Sequence, residues 1–330
     1  MKYRRLGRSG IKVSEIGFGA WTIALDWWGR RIDEEEAIRM LKKAYDMGIT
    51  LYETADMYGK GKSERLIGKA LGGVRDDIII STKYGYDYSG VEQVGHAELP
   101  QSFDPRFTQK ALEMSLERLG TDRVDVYGLH NPKMSHIRDD ESFEFLNGLM
   151  REGKVGALQV ALGPAIGWLD EGLEAMSRDG VTAVQTVYNI LEQTPGNTLM
   201  ERAAERDVSI LVRVPDASGI LTGKITADTK IPKNDHRRDR KAEWRAEALK
   251  KVEQLLPIAE RNGLSMSELA IKFILSQGAV GSVLPTVVDI HEIESFAQMS
   301  DDRALPASDM DEILEIYSSW PPYKLKSSAA

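Results

Sequence analysis

Short apolar runs recur along this chain, separated by longer stretches in which apolar residues return every three or four positions. The runs are Ile16 to Ala20, Ile49 to Tyr52, Ile78 to Thr82, Val124 to Leu129, Ala157 to Ala161, Ala183 to Val187, Val208 to Val214 and Val280 to Leu284. Each is too short for a helix and almost continuously apolar or β-branched, which predicts strands buried on both faces. The stretches between them read as amphipathic helices. Asp33 caps Glu34-Glu35-Glu36 ahead of Ile38, Leu41, Ala44 and Tyr45, putting acidic residues in a first turn. Ser63 is expected to open Glu64 to Leu71, Thr108 a face of Ala111, Leu112, Leu116 and Leu119 closed by Gly120, and Ser267 a further helix. Ahead of the first run, a polar strand, the turn Gly7-Arg8-Ser9-Gly10 and the segment Ile11 to Ser14 predict a β-hairpin.

Eight strand–helix alternations predict an α/β fold, a (β/α)8 TIM barrel with an N-terminal β-hairpin, built as a single domain over residues 1–330. No GxGxxG follows an early strand, which disfavours an open dinucleotide-binding sheet. One region breaks the rhythm. Pro215 to Ala242 lacks periodicity and ends in His236-Arg237-Arg238-Asp239-Arg240-Lys241; it is either a functional loop over the site or a solvated surface leading into a helix at Glu243.

Composition narrows the classes. A formal net charge of −8 over 330 residues disfavours a phosphate backbone as partner. The absence of cysteine removes disulfides, thiolate metal sites and a cysteine nucleophile. No run of about 18 apolar residues predicts a membrane span, and MKYRRLGRSG has no apolar stretch behind its charges, so the expected location is cytoplasmic. His96, His130, His136, His236 and His291 are scattered with no His-x-His pair, so no metal site is expected.

In such barrels chemistry sits where strands end. Glu53, Lys83 and His130 follow three consecutive strand runs, and Tyr58 lies in the loop after Glu53. A phenol ordinarily titrates near 10, and an ammonium within roughly 4–6 Å favours the phenolate. Lys83 is therefore expected to lower Tyr58, with Glu53 fixing Lys83, His130 aligning a substrate oxygen and Tyr58 acting as proton donor or acceptor. Individually these residues have plainer readings: a structural ion pair, a surface histidine, a turn tyrosine. Their joint placement favours the chemical one. A retaining glycosidase would need a second strand-end carboxylate, and only Glu53 is an evident candidate.

At these residues the chain resembles the aldo-keto reductase superfamily over nearly its whole length. Glu53-Thr54-Ala55-Asp56-Met57-Tyr58-Gly59 is similar to the family's signature loop, followed by Ser63-Glu64 and Gly68. Ser81-Thr82-Lys83 and Asp125 through His130 resemble the strands carrying its lysine and histidine. The resemblance implies the family's barrel with a hairpin beneath it, an NAD(P)(H) cofactor, Tyr58 as proton donor, Lys83 as its partner and His130 as the substrate-orienting group. It further implies that Gln185 holds the nicotinamide amide, that Tyr188 beside Asn189 stacks on the ring, and that Ser218-Gly219-Ile220-Leu221-Thr222-Gly223-Lys224 crosses the pyrophosphate.

The departures are specific. Glu53 stands where the family has aspartate, Ala161-Leu162 where it has Ser-Asn, and Arg213 in place of an aromatic at the cofactor. Asp289, Glu292 and Phe296 replace the usual adenosine and 2′-phosphate contacts; the two carboxylates should repel a 2′-phosphate, so NADH is admitted beside NADPH unless Arg237, Arg238 or Arg240 supplies charge. Trp21, Trp27, Trp28, Tyr86, Tyr88 and Asn131 are expected to line the substrate pocket, with Trp21 also at the cofactor. Trp27-Trp28 has the alternative of rim packing, and the Ser319-Trp320-Pro321-Pro322-Tyr323 tail that of capping the pocket, packing on the barrel or meeting a partner. The reading is an oxidoreductase interconverting a small sugar-like or aromatic aldehyde or ketone and its alcohol. The alternatives are a cofactor-binding regulatory or scaffold barrel and, further off, a barrel hydrolase.

Overall fold

The computed structural model describes residues 1–88, 90 and 99–322; His96 and Tyr323 lie outside them. Two short strands, β1 (Tyr3–Arg5) and β2 (Lys12–Ser14), pair antiparallel with Tyr3 opposite Ser14. Eight parallel strands follow: β3 (Phe18–Gly19), β4 (Leu51–Glu53), β5 (Ile79–Tyr84), β6 (Val124–His130), β7 (Val155–Ala161), β8 (Val181–Val187), β9 (Ser209–Arg213) and β10 (Val280–Leu284). They form one sheet in chain order from β3 to β10. The Ile16–Val283 parallel bridge, with Gly17 N donating to Val283 O at 2.8 Å, draws the last strand against the first. The result is a nearly closed barrel of the kind the alternation predicts.

The helices wrap the outside. They are α1 (Glu34–Asp46), α2 (Lys62–Leu71), α3 (Pro105–Leu119), α4 (Met134–Ile137), α5 (Asp140–Arg151), α6 (Leu169–Ser177), α7 (Gly196–Glu205), α8 (Ala242–Arg261), α9 (Met266–Leu275), α10 (Ile290–Gln298) and α11 (Ala307–Ser318). Asp33 caps α1 as expected, accepting from Glu36 N at 2.8 Å, and Gly120 ends α3 in the left-handed region at φ 66°. Three starts differ from expectation. Ser63 is inside α2, where its hydroxyl donates to Ala20 O and accepts from Thr54 Oγ1. Asp104, not Thr108, caps α3, because Pro105 suits a first turn. Ser265, with Glu268 in a reciprocal capping box, opens α9 two residues before Ser267.

Strand alternation sorts the barrel interior into layers, because successive side chains point to opposite faces. Leu51, Val126, Ala157, Ala183 and Leu211 form a small inner cluster, closed from below by Leu6 and Val13 of the hairpin. Two residues on, Ser81 accepts from Gln159 Nε2 at 2.7 Å. Gly128 belongs to this layer, where an added Cβ would lie 2.4 Å from Gln159 Cγ. Continuing upward by the same alternation, Glu53, Lys83, His130, Ala161, Gln185 and Arg213 face inward towards the C-terminal mouth.

Candidate active site at the barrel mouth

The mouth is organised around one buried lysine. Lys83, fully covered, donates from Nζ to Glu53 Oε1 and to the Thr54 carbonyl. Its ammonium stands 5.0 Å from the centre of the Tyr58 ring. That ring meets His130 edge-on, with centroids 5.8 Å apart. The four residues expected to act together are brought together. The extra methylene of Glu53 has a visible effect: Gln185 Nε2, from across the barrel, donates to the same Oε1 at 3.0 Å.

Electrostatics revise one expectation. Burial drives the Tyr58 phenol well above its ordinary value, and the Glu53 carboxylate pushes the same way, against the pull of Arg213. Lys83 does not make Tyr58 acidic here, because its own charge is compensated by Glu53 and weakened by burial, which lowers it. Tyr58 is therefore a neutral phenol that holds its proton. His130 is held well below its usual range by burial, then by Lys83 and Arg213, so it is a neutral imidazole; its Nδ1 is buried with no hydrogen-bond partner.

On the other side of His130, Tyr86 stands edge-on to its ring, centroids 5.2 Å apart, and the Tyr86 hydroxyl accepts from Asn131 Nδ2 at 2.8 Å. Gln101 ties this corner, donating from Nε2 to the His130 and Asn131 carbonyls at 3.0 and 3.1 Å. Nothing in its sequence context singles Gln101 out. Tyr88 turns away, its hydroxyl donating to Asp56 O, and burial pushes its phenol up to about 12. Asp56, buried in the signature loop with Oδ1 unpartnered, is likewise raised well above the carboxylate range by burial and by Glu64.

The aromatic rim and the long loop meet. Trp21 packs edge-on against Trp28 at 5.5 Å, Trp27 stacks on His236 at 4.5 Å, and the Arg237 guanidinium covers Trp28 at 4.6 Å. His236 N also donates to Trp27 O at 2.8 Å. Residues 215–242 thus reach across the mouth to the segment after β3, so Trp27 and Trp28 are covered rim residues. Arg237 and Arg240 are not free charges at the adenosine end. Arg237 pairs with Asp235, and Arg240 grips buried Glu192 at 2.7 and 2.9 Å.

Three expectations about the cofactor side need correction or sharpening. Tyr188 is fully buried, stacked on Phe273 at 5.8 Å with its hydroxyl on Asn197; it has no free face for a nicotinamide ring. Phe296 is 5% exposed and belongs to the core, so it offers no surface to an adenosine. Lys224 donates to Glu292 Oε1 at 2.7 Å, while Glu292 Oε2 accepts from Val288 N, and Asp289 caps α10 by accepting from Glu292 N. Lys224, Glu292 and Asp289 form one cluster joining the loop to the start of α10.

Gly219, at φ 89°, has its nearest neighbours, Ile225 and the Arg237 side chain, 3.4 Å or more from the space a Cβ would enter. Ala217 and Ser218 before it are also left-handed, at φ 49° and 59°. This open backbone turn beside Lys224 fits a phosphate-bearing group. At the far end of the chain, Trp320 lies on α8, its Nε1 donating to Gln254 Oε1 at 3.0 Å and its ring under Lys251, so the described part of the tail packs on the barrel. Among the described residues no helix is long and apolar enough to cross a membrane, and no three histidine or carboxylate side chains gather as a metal-binding group.

This geometry has relatives. The family model for the Aldo/keto reductase family matches residues 15–318. The chain is 31% identical to the aldo-keto reductase YhdN of Bacillus subtilis, over 84% of this chain and 82% of that one. It is 30% identical to the NADH-specific methylglyoxal reductase of Escherichia coli, over 86% and 89%. The holo form of aldo-keto reductase AKR11C1 from Bacillus halodurans superposes over 96% of both chains with a TM-score of 0.78 at 27% identity. A match that runs from the strand entering the barrel to its last helix, over a mouth where Lys83 and Glu53 meet Tyr58, places the chain in the aldo/keto reductase family.

Proposed function

We propose that this oxidoreductase reduces a small aldehyde or ketone with Tyr58 as the proton donor, and oxidises the alcohol by the reverse route. The observation that carries the reading is the neutral Tyr58 phenol held beside neutral His130 and the Lys83–Glu53 pair at the mouth. A bound nicotinamide supplies or removes the hydride. The protein's part is proton transfer and alignment. His130 hydrogen-bonds the carbonyl oxygen, and Tyr58 gives that oxygen its proton as the carbon is reduced. Lys83 stabilises the phenolate left behind, and Glu53 keeps Lys83 in place.

The turn at Ala217, Ser218 and Gly219, with Lys224 beside it, would hold the pyrophosphate, and Gln185 and Trp21 would border the nicotinamide. We further propose NADH over NADPH, because the Asp289 and Glu292 carboxylates stand at the adenosine end, where Lys224 is already paired with Glu292. The methylglyoxal relative is NADH-specific by its name, which supports both the preference and a small dicarbonyl as first substrate to try. The test is steady-state reduction of methylglyoxal and of benzaldehyde with each cofactor, alongside binding of each cofactor by fluorescence. Turnover that Tyr58→Phe abolishes supports the reading. Cofactor binding without turnover would instead favour a regulatory or scaffold barrel.

A further inference from the structure

The regular pairing of β4 with β5 stops at Glu53 opposite Ser81, short of Lys83, whereas β6 follows β5 as far as Tyr84. Beyond that point the β4 side of Lys83 is held by the loop after Glu53. Thr54 N donates to Ser81 O at 2.8 Å, and Asp56 N donates to Lys83 O at 3.0 Å. The same loop supplies the Thr54 carbonyl, one of the acceptors of the Lys83 ammonium. Where that ammonium stands therefore depends on what holds this edge.

Two buried side chains in the first turn of α2 hold it. Ser63 Oγ accepts from Thr54 Oγ1 and donates to Ala20 O, both at 2.8 Å. Beside it, Glu64 Oε1 accepts from Thr82 Oγ1 at 2.6 Å. Thr82 directly precedes Lys83, so its side chain leaves the outer face of the strand and Lys83 the inner one. The stem of Lys83 and its Thr54 acceptor are thus both gripped from outside the barrel.

Glu64 is itself built in. It is fully covered, and its other oxygen accepts from Arg118 Nε of α3 at 2.6 Å. Arg118 passes over Gly61, where an added Cβ would lie 2.3 Å from its Cδ. Burying an ion pair is costly even when the geometry is good. Bringing α2 and α3 together does not require it, since they already meet closely at Gly68, whose added Cβ would lie 2.5 Å from Leu119 O. What the carboxylate adds is a short, directed bond to Thr82, stronger than a neutral acceptor would give.

We propose that Glu64 is a positioning residue for the reaction, acting through Thr82 to hold Lys83 where it stabilises the Tyr58 phenolate. This rests on the oxidoreductase reading above. Arg118 aims the Glu64 carboxylate, and Ser63 steadies the Thr54 acceptor.

The test reads single-turnover reduction of benzaldehyde and of methylglyoxal by protein loaded with NADH or NADPH, since product release can hide a slower chemical step at steady state. Thr82→Val removes the hydroxyl and leaves the Glu64–Arg118 pair in place. It should slow the step at saturating aldehyde by about 10-fold, with half-saturation and cofactor affinity unchanged. Thr82→Ser, which keeps the hydroxyl, should restore most of the rate. Glu64→Gln should slow the step in the same way, with no further loss when combined with Thr82→Val; should Glu64→Gln fail to fold, the two Thr82 variants decide alone. A Thr82→Val protein that melts lower but reacts at the wild-type rate makes Glu64 purely architectural and overturns the proposal while leaving carbonyl reduction intact. A loss that Thr82→Ser does not restore, or one confined to half-saturation, does the same. A wild-type protein that reduces neither aldehyde with either cofactor overturns the oxidoreductase reading and this proposal with it.

Discussion

Gln185 and Lys83 hold the same oxygen, Oε1 of Glu53, from opposite walls of the barrel. An aspartate in place of Glu53 would retract the carboxylate on the order of 1 Å and lose one of the two. Glu53→Asp is expected to cut kcat by about 10-fold or more through the resulting misplacement, with a smaller effect in a Gln185→Ala background, because one partner has already gone. Glu53→Gln is more severe: it strands a buried ammonium at a cost of roughly 3–5 kcal/mol. Thermal melts of the two variants should separate these outcomes; equal stability of Glu53→Gln and wild type would contradict the pairing.

The Tyr58→Phe variant should lose about 10²- to 10⁴-fold in kcat while still quenching or enhancing bound-cofactor fluorescence. A variant that retains a tenth of wild-type turnover would remove Tyr58 as the proton donor.

The pH profiles follow from the two neutral groups. His130 is held well below its usual range, so kcat/KM for reduction should show no inflection between pH 6 and 7.5 from histidine. Tyr58 is held well above 10, so reduction should stay flat through neutral pH, and alcohol oxidation, which needs Tyr58 as the phenolate to accept the proton, should rise with pH. A reduction profile with a histidine-like step, removed by His130→Gln, would be incompatible with this assignment.

Asp216 gives a stability prediction. Burial pushes its carboxyl up to about 6, above the unfolded value near 3.9. The folded state therefore binds more protons than the unfolded state between those values, and stability falls as pH rises from about 4 to 7. Relative to Asp216→Asn, the wild type should lose on the order of 2–3 kcal/mol across that window. Parallel denaturation curves for the two proteins would show that Asp216 does not titrate in it.

At the adenosine end, Glu292→Gln frees Lys224 and removes one repelling carboxylate. The ratio of NADPH to NADH affinity should move towards NADPH by roughly 5-fold, as expected for a pair exposed on the lysine side. Direct titration of both cofactors into both proteins measures it, and an unchanged ratio would mean the phosphate meets other residues.

Much of this is legible in the sequence. Strands buried on both faces announce themselves as apolar runs, so all eight were found, and Val280–Leu284 matches its run end to end. Strand ends at the mouth were equally visible for Glu53, Lys83 and His130, since an ionisable residue closing an apolar run has few structural uses. What stayed hidden depends on contacts between distant strands. Nothing local to Gln185 says that it reaches Glu53 rather than a cofactor, or to Tyr188 that Phe273 and Asn197 enclose it. Helix starts slipped where a proline or a capping box outweighed the first hydroxyl in view. The sequence pairs Glu53 with Lys83, but it carries no sign of the burial that, ahead of the Glu53 charge, raises Tyr58.

The layered interior has a consequence for how this barrel can change. The groups that hold it shut, Leu51, Val126, Ala157, Ala183 and Leu211 above the hairpin, occupy positions two or more residues below those at the mouth. Innovation at the rim is thus insulated from the cost of unfolding, and Ala161, the small apolar member of the upper ring, is where a new functional group could be written in with the least disturbance to inheritance below.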